Sequence, residues 1–208
     1  MFEKEEKKYT WDNVTISMYR RILSLPKDED YAFNLVAVFE NTELKEIMNR
    51  PIDETLKCTA ALNKFISKKP RSLSMKSEYK LNDKVYKISR NPADISTAQY
   101  FDFINSKKEI PENLAHILAI FMIPEGKVYN TDYDIESAVY DIDNYMKVEE
   151  ALGVCNFFTQ LFQAYSKKVL RRTKKALKQA RKAGVPEDKI QEAQKKLETF
   201  CQAIKYLK

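Results

Sequence analysis

The sequence predicts a mainly α protein: two related small helical modules joined by a short β-hairpin, followed by a basic antiparallel helical hairpin. Three observations carry this prediction. The chain has only 3 glycines and 7 prolines in 208 residues, so tight turns are scarce and helices are favoured. A pattern of apolar and capping residues in 12–66 recurs in 94–148. Apolar residues near the C-terminus follow alternating spacings of three and four, the signature of a helical seam.

The repeat is read from three blocks. Thr15, Tyr19, Ile22 and Leu23 answer to Ser96, Tyr100, Phe103 and Ile104, an offset of 81. Leu35-Val36-Ala37-Val38-Phe39 answers to Ile117-Leu118-Ala119-Ile120-Phe121, an offset of 82. Ile52, Asp53, Leu62 and Phe65 answer to Ile135, Glu136, Tyr145 and Val148, an offset of 83. The offset grows by one residue in each of two loops, where insertions are tolerated best. The expected modules are 1–70, 71–148 (with the hairpin) and 149–208.

Along the chain, Lys8-Tyr9-Thr10-Trp11 reads as a short strand anchored by Trp11. Thr15 is placed to cap a helix carrying Tyr19, Ile22 and Leu23. A second helix over 30–40 is apolar on most faces, hence buried. Glu43–Met48 supplies one or two turns. Pro51-Ile52-Asp53-Glu54 opens a third helix to about Ser67, with proline at its start and acids in its first turn. The loop 68–74 leads to Tyr79–Ile88, two short strands flanking Asn82-Asp83, residues that tolerate the positive φ of a two-residue hairpin. In the second copy, Ser96 and Gln99 fit a capping box. Pro111-Glu112 starts the next helix, Ile123-Pro124-Glu125-Gly126 reads as a turn, and Tyr133–Tyr145 forms the third helix.

The C-terminal part reads as one helix from about Val148 to Ala183, stopped by Gly184, with Pro186-Glu187-Asp188 opening another. That last helix places Ile190, Ala193, Leu197, Phe200, Ile204 and Leu207 on one seam. Phe158, Phe162, Tyr165, Val169, Ala176 and Ala180 fall at compatible positions on the helix before it. The seam is expected to close within this hairpin, homo-oligomerisation through it being the alternative.

Charge divides the chain. Residues 151–208 hold 14 Lys and Arg against 4 Asp and Glu, a formal +10, whereas 1–150 hold 22 against 26, a formal −4. No Asp or Glu occurs from Ala151 to Pro186. Lys167, Lys168, Arg171, Arg172, Lys174, Lys175, Lys178, Arg181 and Lys182 crowd one helical stretch, spreading over more than half of its circumference. Such a run meets phosphate backbones, meets an acidic protein surface, or is a solvated face that keeps the hairpin soluble. No aromatic interrupts it, which disfavours a base-stacking platform.

No catalytic, cofactor or metal residues are assigned, and the expected class is non-enzymatic. His116 is the one histidine, and a lone histidine on a buried helix is ordinarily structural. Asp132, Asp134, Glu136 and Asp143 mimic part of a calcium loop, but Ser137 stands where the turn requires glycine. A solvated acidic helix face is the expectation there. Cys58, Cys155 and Cys201 are isolated, as for free thiols rather than a disulfide framework. The charged Met1–Lys8 lacks an apolar core and does not read as a secretory signal. No stretch approaches the ~20 apolar residues of a membrane span.

The order Trp11-Asp12-Asn13-Val14-Thr15, an apolar helix, Lys80-Leu81-Asn82-Asp83-Lys84-Val85-Tyr86, Asp94-Ile95-Ser96-Thr97-Ala98-Gln99-Tyr100, Leu118-Ala119-Ile120-Phe121 with Pro124-Glu125-Gly126, and Phe157-Phe158 resembles small proteins encoded among the virion genes of tailed bacteriophages of gut Bacteroidota, including crAss-like phages. The resemblance covers roughly residues 9–165. It implies a virion component near the tail or portal, a cargo protein of the particle, or a tail assembly chaperone. The implied partners are other virion proteins, with the basic hairpin expected to face phage DNA or an acidic protein ring, and the implied location is the virion, with the host cytoplasm during assembly. It transfers no site residues.

Overall fold

A computed structural model describes residues 9–106 and 112–195. It is mainly helical, with a small antiparallel sheet between helical segments. The first module comprises α1 (Ile16–Ser24), α2 (Tyr31–Glu40), α3 (Leu44–Met48) and α4 (Ile52–Ile66). The hairpin β1 (Glu78–Leu81) and β2 (Lys84–Lys87) follows. The second module holds α5 (Thr97–Ser106), α6 (Leu114–Phe121), β3 (Ile123–Pro124) and α7 (Ile135–Tyr145), and α8 (Val148–Lys182) leaves it. Among the described residues no helix is long and apolar enough to cross a membrane.

α5, α6 and α7 follow α1, α2 and α4 in order, whereas α3 has no helical counterpart among the described residues and β3 stands between α6 and α7 instead. Thr15 caps α1 by accepting from the Met18 amide at 3.3 Å. Its counterpart Ser96 accepts from the Gln99 amide at 3.1 Å, and Gln99 Oε1 returns the bond to the Ser96 amide at 2.9 Å, closing the capping box. The Gln99 Nε2 also donates to the Ile120 carbonyl at 2.6 Å, tying α5 to α6. Leu35, Val36, Ala37 and Val38 are buried on α2, as are Ile117, Leu118, Ala119 and Ile120 on α6. The correspondence fails at the end of the third helix. Leu62 is buried on α4 but Tyr145 is 45% exposed, because α7 stops there while α4 continues.

That stop creates the main link between the modules. Thr15 precedes α1 and Lys147 precedes α8, and each is extended, as residues before a helix commonly are. The two extended segments lie antiparallel as an isolated β-bridge. The Ile16 amide donates to the Met146 carbonyl at 3.2 Å and the Val148 amide to the Val14 carbonyl at 2.9 Å. The side chains cross over with the backbone. Ile16 sits in the hydrophobic core built around α6, with Phe121, Ile142 and Phe158. Val148 sits in the other core, with Trp11, Leu35, Ile47 and Leu62.

The loop 68–74 forms a second link. The Leu73 amide donates to the Glu149 carbonyl at 3.1 Å, and the Arg71 amide to the Glu149 side chain at 2.7 Å. Gly153 lets this strap lie flat on α8: a Cβ there would stand 2.0 Å from the Leu73 carbonyl oxygen.

Several expectations are corrected. Trp11 is an anchor, buried with its Nε1 donating to the Lys68 carbonyl at 2.8 Å, but Trp11–Asn13 is a 3-10 turn rather than the end of a strand. The helix expected from Pro111 begins at Leu114, after a turn at Glu112 and Asn113, and Pro111 lies outside the described residues. Ile123-Pro124 is a strand, not a turn. It takes the free edge of β2, pairing Tyr86 with Pro124 and Lys87 with Ile123, and the terminal strand position suits a proline, which has no amide to give. The turn comes just after it, where Gly126 adopts φ +78. The third helix of the second copy starts at Ile135 rather than Tyr133, because Asp134 caps it through the Glu136 and Ser137 amides. The hairpin turn is as expected, with Asn82 and Asp83 at φ 46 and 61, the type I′ geometry that matches strand twist.

Gly153→Ala should lower stability by about 1–3 kcal/mol or more, since an intruding methyl displaces backbone rather than a side-chain end. Chemical denaturation followed by Trp11 fluorescence measures it; a change below about 0.5 kcal/mol would show that the strap does not rest on α8.

Candidate functional site: the basic half of α8

α8 changes character along its length. Its first half is core: Val148, Ala151, Val154, Phe158 and Phe162 are buried. The Phe121 and Phe158 rings stack at 3.9 Å and those of Phe103 and Phe162 at 4.8 Å. Phe158 and Phe162, which the spacing placed on the C-terminal hairpin seam, therefore pack into the main core. A seam of period 3.5 running the length of one helix does not reveal that the packing partner changes midway. Beyond Phe162, no side chain of α8 among those described is buried. Tyr165 is 48% exposed and Ala176 is exposed, against the expectation for seam positions; the Val169 side chain lies outside the described residues, and Ala180 is half-buried as a seam requires.

α8 ends in a Schellman motif. The Gly184 amide donates to the Arg181 carbonyl at 3.2 Å and the Val185 amide to the Ala180 carbonyl at 3.1 Å, with Gly184 at φ +73. A helical run at 187–195 follows. Arg181 Nη2 donates to Glu187 Oε1 at 2.9 Å and approaches Gln194 Oε1 at 3.5 Å, so this run lies back along α8. Ile190 is buried and Ala193 half-buried. The remaining seam positions Leu197, Phe200, Ile204 and Leu207 lie outside the described residues.

All nine basic residues, Lys167, Lys168, Arg171, Arg172, Lys174, Lys175, Lys178, Arg181 and Lys182, are exposed. Leu170, Thr173, Leu177 and Ala180 are half-buried. At ~100° per residue these four make one stripe, and the nine charges occupy about half of the circumference on the opposite side. On the same ~100° spacing, the nine charges span about half of the circumference rather than the more than half first expected. Of the nine, Arg181 alone is in an ion pair among the described residues, with Glu187. Ten pairs among them fall at i,i+3 or i,i+4 spacing, Lys168–Arg172 and Lys174–Lys178 for example. Each such like-charge pair opposes the helix by ~0.2–0.5 kcal/mol at low salt, so the run carries a self-repulsion of roughly 2–5 kcal/mol. A face meant only for solvation would relieve this with interleaved acids.

The acids are elsewhere, and not as expected. Asp132 and Asp134 stay on the surface, the first accepting from the Val128 amide at 2.7 Å and the second capping α7. Asp143 is buried rather than solvated. It accepts from Arg20 Nη2 at 2.5 Å across the module boundary, and its other oxygen has no hydrogen-bond partner. Burial raises its pKa, with Arg20 only partly offsetting. Asp141, which the sequence did not single out, has three side-chain donors. It is buried and accepts from Tyr86 Oη at 2.6 Å, Lys84 Nζ at 2.7 Å and Asn82 Nδ2 at 2.8 Å. Burial alone would raise its pKa, but the three donors outweigh it and hold the carboxyl below its ordinary value. The signal was present in the sequence as three donors at alternate positions of a hairpin, but nothing there named the acceptor.

The remaining chemistry is sparse. His116 is half-buried on α6. Cys58 and Cys155 are free thiols, and burial pushes the Cys155 pKa up. No group of three His, Cys, Asp or Glu converges on a common point among the described residues. Two surface hollows of about 360 Å³ flank the start of the arm, one beside Leu73 and Gly153, the other between Phe101 and Tyr165. No carboxylate, histidine or cysteine among the described residues lines either. No protein family, curated protein or solved structure matches the chain.

Asp141→Asn should destabilise by about 1.5–3 kcal/mol, the scale of hydrogen bonds to a charged group. A carboxylate with a depressed folded pKa contributes stability that is present above its unfolded pKa, near 3.9, and is lost as pH falls through the folded value. The wild type should therefore lose stability below about pH 4 more steeply than the Asn variant. Parallel slopes in acid denaturation would sink this assignment.

Proposed function

We propose that the chain is a non-catalytic interaction protein that presents the basic half of α8 to a polyanionic partner, the two modules serving as its mount. The observation that carries this reading is the nine-residue exposed cationic arc, self-repelling, with one ion pair among the described residues and opposite a half-buried stripe. A polyanion removes the repulsion that the fold leaves standing, which is a reason for the helix to bind one. The resemblance to virion-region proteins of tailed bacteriophages suggests the setting: a tail- or portal-associated structural or cargo protein that binds other virion proteins. An assembly chaperone and an independent DNA-binding protein are the alternatives within the same frame.

Heparin, a polyanion without bases, tests the reading. It should raise the thermal midpoint of the full chain by several degrees at low salt and progressively less as salt rises. The variant with Lys174, Lys175, Lys178, Arg181 and Lys182 all replaced by Gln should lose most of that shift while keeping its helical circular dichroism. An equal shift in both proteins, or none in either, overturns the reading. For the particle setting, mass spectrometry of purified virions of a phage encoding the chain should find it; absence favours the chaperone.

A further inference from the structure

We propose that the basic half of α8 lies in the major groove of duplex DNA, held by phosphates on both walls; this rests on the polyanion reading above and names its partner. The argument is angular. At ~100° per residue, Lys167 and Lys174 form one flank of the arc and Lys168 and Arg172 the other, with Arg171 and Lys178 between them. The two flanks stand about 100–160° apart. A flat acidic protein surface meets one flank and leaves the other in water. A concave anionic surface meets both together. The major groove is about 12 Å wide, and a helix with its side chains is about 10–12 Å across. Its walls are phosphate on either side, where the two flanks point.

Residue type favours nucleic acid over protein. From Ala164 to Lys182 the arc holds Lys and Arg, with Ala164 and Gln179 the exceptions. Protein interfaces are anchored by aromatic and aliphatic groups and are depleted in Lys, and this arc offers no such anchor. The half-buried stripe Leu170, Thr173, Leu177 and Ala180 lies on the far side of α8, so packing on that stripe leaves the cationic side open. The basic stretch is about 24 Å long, enough to track one pass of the groove. Duplex RNA fits poorly, since its major groove is deep and narrow.

Fluorescence anisotropy with the full chain distinguishes the possibilities, using three labelled probes: a mixed-sequence DNA duplex of about 20 base pairs, an RNA duplex of the same sequence, and poly-glutamate. DNA should bind with an affinity falling steeply between about 50 and 200 mM salt. Lys167→Gln with Lys174→Gln, and separately Lys168→Gln with Arg172→Gln, should each reduce the log–log salt slope by about 1.8. Lys167→Arg with Lys174→Arg should restore it. RNA should bind about 10-fold more weakly or worse. Loss of slope in one flank variant alone means a one-sided contact and overturns the groove. Equal affinity for RNA overturns it too. Poly-glutamate binding as tight as DNA assigns the arc to an acidic protein, defeating this inference while the polyanion reading stands. Binding to none of the three defeats both. Circular dichroism of each variant separates lost contact from lost helix.

Discussion

The pairing of Val14–Ile16 with Met146–Val148 is the constraint on which the rest of the structure depends. It involves two backbone hydrogen bonds, yet it decides where four buried side chains go. Val14, Ile16, Met146 and Val148 are all at most 2% exposed, and the crossing places Ile16 and Val148 each in the core of the opposite module. Thr15 and Lys147 can pair because each is extended at the entry to a helix. Residues that would elsewhere leave a helix start solvated here join two helix starts to one another. The Arg20–Asp143 bond and the strap over Gly153 reinforce the same seam.

With α8 anchored at its first residue in one core and along its first four turns in the other, its direction is fixed before its charged half begins. The acids at its start, Glu149 and Glu150, lie at the positive end of the helix dipole. They are engaged with the body: Glu149 accepts from Arg71, and Glu150 pairs with Lys76. The cations accumulate at the opposite end, the negative pole, where the dipole favours them. The helix thus separates charge along its axis, so the rigid body neutralises one end and the solvent faces the other. This is why the −4 and +10 halves of the sequence read as different proteins while sharing a single helix.

Much of this was legible in the sequence, and the reasons differ by element. Helix caps at Thr15 and Ser96, the Asn82-Asp83 turn and the Gly184 stop are local: the residue and its near neighbours hold the whole physical cause. The basic arc was legible because charge does not depend on partners. What escaped was everything long-range. Asp141 could not be told from Asp143 by sequence, since one faces three hairpin donors and the other a single guanidinium. Ile123-Pro124 lacked strand length, and only the open edge of β2 makes it a strand. Phe158 and Phe162 obeyed the seam periodicity while packing into the main core. The stop at Tyr145 had no local breaker at all; α7 ends because Met146 and Lys147 are taken by residues 130 positions away.

That separation has a consequence for how the chain is made. The first module emerges from the ribosome with its helices written but its core missing Val148, and its leading edge missing the strand that pairs with Thr15. It must wait, with Trp11 and Leu35 incompletely covered, until the second module and the start of α8 have been synthesised. Closing so long a loop is slow compared with forming a local helix. Folding is then gated late, at the point where the start of α8 joins the first core.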